Sequence, residues 1–134
     1  MFCYLMGQRI GETVSMARGE NQDYDFVASW SRGDTRNFAP VQLKELVPLS
    51  INPESSIDKL LAALPKKYVD SHDLTVVIHL NQRNQFDLGD LRIPELSIGG
   101  LWMFGATTPD QFAWGLWGDF LRNPIHTAHV HPAA

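Results

Sequence analysis

The sequence predicts a single α/β (α+β) domain built on a central mixed β-sheet, and three observations predict it. Residues 12 to 47 carry three short strand-like runs separated by polar turns, the pattern of a three-strand meander. An amphipathic helical stretch follows at 57–64. After it, Asp73–Leu80 is a nearly unbroken apolar run, the mark of a strand buried on both faces and reached by a crossover helix. Further strands and a C-terminal helix complete the expected order.

Bulk composition sets the outer limits. A chain of 134 residues, 44% hydrophobic and 19% charged, suits one globular domain that buries a real core. Residues 1–134 are therefore read as one domain, with 122–134 as a flexible C-terminal tail. The formal net charge of -4 argues against strong bulk affinity for nucleic acid but leaves room for a local basic patch. A single cysteine, Cys3, excludes an internal disulfide framework and fits a reducing, cytoplasmic setting. The apolar Met1–Met6 stretch is too short for a signal peptide or a span, so no membrane partner is expected.

In chain order, Met1–Met6 reads as the end of a first helix or as an early strand. Glu12–Ala17 alternates weakly, as a strand does. Arg18–Gln22 is a turn cluster leading into Asp23–Trp30, and Phe38–Leu46 is the next strand. Ser31–Asn37 between them is a polar, Gly-containing hairpin loop. Pro48 ends the third strand, since it has no N–H to give to a ladder.

The crossover helix has the clearest signals. Ser55 and Ser56 are N-cap candidates, and Ile57, Leu60, Leu61 and Leu64 fall at i, i+3, i+4 and i+7. Pro65 is expected to stop it. Lys66 and Lys67 then suit the negative end of the helix dipole, and this basic pair also suits a phosphate. In the strand that follows, His79 reads as a hydrogen-bonded core or edge histidine. Asn81–Gln85 is a polar loop at that strand's carboxyl end, where ligands bind in open α/β sheets. Arg83, set among amides, suits phosphate or base edges.

Residues 86–98 read as irregular, and Gly99–Gly105 as a strand. A final helix is predicted from Thr108, with a Thr-x-x-Gln capping box and Pro109 at the first helical position. Phe112, Leu116, Trp117, Phe120 and Leu121 would form its apolar stripe. Gly115 and Gly118 oppose it by about 1 kcal/mol each. Trp114 and Trp117 serve either as core or as anchors of a homodimer interface. His126, His129 and His131 in the tail lack the spacing of a known zinc site.

Alternation along the strands sorts side chains into faces. Asp23, Asp25 and Val27 share one face, as do Gln42 and Lys44 on the next strand. Antiparallel pairing then places Asp25, Gln42 and Lys44 together, either as a site or as a solvated sheet surface. This pattern, Asp25 followed by Gln42-x-Lys44, resembles the core motif of the PD-(D/E)XK nuclease superfamily.

That resemblance implies the restriction-endonuclease-like fold: a helix, a three-strand meander, a crossover helix and a further strand. It also implies metal-dependent hydrolysis of DNA phosphodiesters. Asp25 would hold Mg²⁺ or Mn²⁺, with Asp23 helping from the same face. Gln42 would stand where an acid is usual, and Lys44 would assist the attacking water. No Pro precedes Asp25 and Gln42 brings no charge. The pattern therefore suits a weak nuclease or a nuclease-like domain that has lost activity. A separate reading, a nucleic-acid-binding module without chemistry, needs Arg18, Arg32, Arg36, Lys44 and Arg83 to cluster, with Arg36 and Arg83 as its DNA contacts. The alternative is a non-catalytic interaction protein, dimeric through its aromatic C-terminal region.

Overall fold

The computed structural model describes residues 1–18, 24–82 and 90–122, and the backbone of 129–132. The chain is α+β: helix α1 (Phe2–Ile10), strands β1 (Ser15–Arg18), β2 (Phe26–Arg32) and β3 (Thr35–Leu46), helix α2 (Ile57–Lys67), then β4 (Ser71–Leu80), β5 (Ile98–Ala106), β6 (Ala113–Gly118) and β7 (His129–Pro132). The seven strands lie in one sheet in sequence order. β1, β2 and β3 form the antiparallel meander. β4 is parallel to β3, and β5 to β4. β6 and β7 then return antiparallel.

Period-two alternation divides the core between the two faces of the sheet. On β4, Val76 and Ile78 join Ile57, Leu61 and Leu64 of α2, with Leu46, Leu101 and Met103. The intervening Val77 joins Phe2 and Leu5 of α1, with Phe26, Ala28, Val41, Phe104 and Leu116. The helices thus cover opposite faces, and β4 is buried on both, as its apolar run demands.

Local chemistry sets the helix limits. Ser56, in an extended conformation, caps α2 by accepting the Lys59 N–H at 3.1 Å. Pro65 does not end α2, which runs on to Lys67. A proline this close to the end removes one ladder bond, and the Tyr68 N–H still closes the last turn on the Leu64 carbonyl. α1 is a real first helix of nine residues, ended by Gly11 at φ 72. The expected hairpin loop is tighter than Ser31–Asn37. Arg32 pairs with Thr35, which leaves Gly33 and Asp34 to turn the chain, with Gly33 at φ 58.

The C-terminal helix is not formed. Thr108 does not cap a helix. Its hydroxyl donates to Asp110 Oδ1, which also accepts the Phe112 N–H, and Gln111 takes a left-handed φ of 61. These bonds make a turn, and residues 113–118 follow as β6 on the free edge of β5. Trp114 and Leu116 face the α1 side while Trp117 faces the α2 side, an alternation of period two. Gly115 is needed there because a Cβ would lie 2.5 Å from the Trp117 ring. Part of the expected tail, 129–132, is strand β7.

Candidate functional site

The hairpin register puts Phe26 opposite Val41, so Asp25 comes to Gln42 at the entrance of β2. The Asp25 Oδ2 accepts the Gln42 amide at 2.8 Å and the Leu43 backbone N–H at 2.7 Å. Asp25 is exposed and Gln42 half-buried. These short bonds to a carboxylate fix both side chains. Lys44 lies one alternation further along the same face and sets its ammonium 5.5 Å from the centre of the Tyr68 ring.

The crossover helix completes the patch. Its C-terminal end brings Lys67 in, with Nζ 5.8 Å from the same Tyr68 ring. The proximity of Lys44 is the main cause that holds the Lys67 ammonium below its ordinary pKa. Burial pushes the Tyr68 hydroxyl up. Beside them opens a cleft of about 630 Å³, lined by Tyr24, Gln42, Lys67, Tyr68, His72 and Asp73 among others.

Outward along β3, residues of the same parity as Gln42 and Lys44 share their face. These include Phe38, which is 65% exposed, and Arg36. The Arg36 guanidinium lies 5.8 Å from the Phe38 ring and donates to Ser29 Oγ at 3.2 Å. From Lys44 to Arg36 the row is about 27 Å long at the rise of an antiparallel strand. It offers cations at both ends and a bare aromatic ring between them.

A magnesium ion takes six oxygen donors in near-octahedral array. Among the described residues there is no group of three or more His, Cys, Asp or Glu side chains that can hold a metal. Asp25 is the carboxylate hydrogen-bonded to Gln42, and its Oδ2 already carries two hydrogen bonds. Glu45 points to the other face, where it accepts from Asn81 Nδ2 at 2.7 Å. Among the described residues the patch therefore offers one free carboxylate oxygen, that of Asp25 Oδ1, toward such a shell. Asp23, the second expected ligand, and Arg83, the second expected DNA contact, lie outside the described residues, as does His126.

Trp114 and Trp117 are half-buried on opposite faces of β6 and form no single patch. His79 is half-buried, stacked on Phe104 with ring centres 4.7 Å apart, and burial lowers its pKa. Among the described residues no helix is long and apolar enough to cross a membrane.

Sequence reasoning brought Asp25, Gln42 and Lys44 together and missed Tyr68. The adjacent Lys66–Lys67 pair was a visible signal, but only the path of α2 sets Lys67 beside Lys44. Comparison with known protein families, curated proteins and solved structures finds no match for this chain.

Proposed function

We propose that the chain is a nuclease-like domain that binds the phosphodiester backbone of DNA along the Lys44–Arg36 row of β3 and has lost metal-dependent turnover. One observation carries this reading: Asp25 and Gln42 are locked together beside Lys44, the arrangement of the nuclease motif without its second acid. The element order supports it, with a first helix, a meander, a crossover helix and a parallel strand. Phosphate contacts from Lys44 and Arg36 fix register on a strand, and Phe38 offers a face on which a base stacks. Without a charged pair of ligands, the Asp25–Gln42 contact serves to hold β3 and its row in place.

The test combines cleavage with binding. Single- and double-stranded DNA are incubated with Mg²⁺ or Mn²⁺, using wild type and Lys44→Ala. No cleavage is expected from either. Binding by wild type should weaken steeply with salt, and Lys44→Ala should bind less and show a shallower salt slope. Asp25→Asn, which removes a negative charge and keeps an acceptor, should bind DNA more tightly. Metal-dependent cleavage that disappears in Lys44→Ala would restore the hydrolase reading. Lack of any DNA binding would end the proposal.

A further inference from the structure

Resting on that reading, we infer that the cleft beside Lys44 is a subsite for the terminal phosphate of a DNA strand, a phosphomonoester, held by Lys44, Lys67 and the Tyr68 hydroxyl. Three observations carry this. Both ammonium groups lie within 6 Å of one ring centre, at 5.5 and 5.8 Å, so two like charges are held over the same side chain. Among the described residues the ion pairs are Lys59–Glu54 and Arg122–Asp119, and neither involves these lysines. Tyr68 is 7% exposed, and its hydroxyl oxygen is sealed from solvent with no hydrogen-bond partner.

A buried donor without an acceptor is costly, and native folds keep few of them. An oxyanion placed between the lysines would accept from the phenol and relieve the repulsion between the two cations. The exposed Lys67 side chain is the movable wall through which it would enter. Lys44 is the largest influence on the Lys67 ammonium and lowers its pKa, while Tyr68 and Asp25 act in the opposite direction.

Charge selects an end over an internal phosphate. A terminal phosphomonoester carries close to two negative charges at neutral pH because its second pKa is about 6, while an internal diester carries one. The lysine pair therefore favours the end of a strand, whose remainder would run outward along β3.

Matched fluorescent oligonucleotides bearing a 5′-phosphate, a 3′-phosphate or hydroxyls at both ends separate the possibilities by anisotropy titration. One phosphorylated end should bind about tenfold tighter than the hydroxyl form, the factor expected for one charge-assisted contact. Inorganic phosphate should compete for that gain, and the gain should vanish in Lys67→Met and in Tyr68→Phe. Tyr68→Phe keeps the ring in the core, so it reports on the hydroxyl and not on folding. Equal affinity for all three oligonucleotides overturns the terminal-phosphate subsite while leaving backbone binding intact. If none of them binds, the subsite and the proposed function fall together.

Discussion

The two faces of the sheet are built differently, and the difference locates the polar patch at the end of α2. The α2 face is aliphatic where the helix covers it: Leu46, Ile57, Leu61, Leu64, Val76, Ile78 and Leu101. Past the end of α2 the cover stops, and Gln42, Lys44, Lys67 and Tyr68 meet at its margin. The α1 face has a shorter helix and fills its remaining area with rings. Phe104 packs against Phe2, His79 and Trp114 at centre distances of 6.3, 4.7 and 6.1 Å. Helix length on one side and ring area on the other are two solutions to covering a wide sheet. The first leaves the margin where Gln42, Lys44 and Lys67 meet the buried Tyr68.

Core truncation gives the largest test of this contrast. Leu61→Ala on the α2 face and Leu5→Ala on the α1 face each remove a side chain exposed by 1% or less. Each should cost roughly 2–5 kcal/mol in denaturant unfolding. Because β4 contributes to both clusters, each variant should keep one cooperative transition. Separate transitions would show that the faces are independent units.

Tyr68→Phe should have a smaller and opposite effect. Removing a buried hydroxyl that has no partner relieves its desolvation penalty, so stability should rise by about 1 kcal/mol. A loss of similar size would mean that the hydroxyl is satisfied within the fold.

The smallest effect concerns pH on the aromatic face. His79 has a folded pKa lowered by burial, so the unfolded chain binds the proton more readily. Its contribution is fully present above the unfolded value, about 6.5, and is lost as pH falls through the folded value. The exposed Asp110, lowered by its Thr108 hydrogen bond, acts only in the more acidic carboxylate range. Between pH 7 and 5, wild type should therefore lose more Tm than His79→Phe. Equal losses would remove His79 as the cause.

The meander and the crossover helix were legible because each has one dominant period. Leu60, Leu61 and Leu64 repeat as a helix does, and Val76 to Ile78 form a run that only a doubly covered strand tolerates. Residues 112–121 fit two periods at once. Phe112, Leu116, Trp117 and Phe120 match a helical stripe, while Trp114, Leu116 and Trp117 also alternate as a strand. The free edge of β5 decided between them, with Gly115 and Gly118 as the local hint against a helix. The site was half legible for a related reason. Asp25 and Gln42 are joined by hairpin register, which sequence patterning specifies. Lys67 and Tyr68 arrive through a crossover whose landing point depends on how α2 packs.

The first strand offers a last consequence. β1 is four residues long, exposed throughout, and paired on one side with β2. Its outer row of backbone groups is a template on which another chain can add, as happens in filament growth. Four residues give a docking strand few rungs, and Arg18 places a positive charge at the end of that row. This border of the sheet is thus brief and carries a charge, two features that disfavour edge-to-edge addition of another strand.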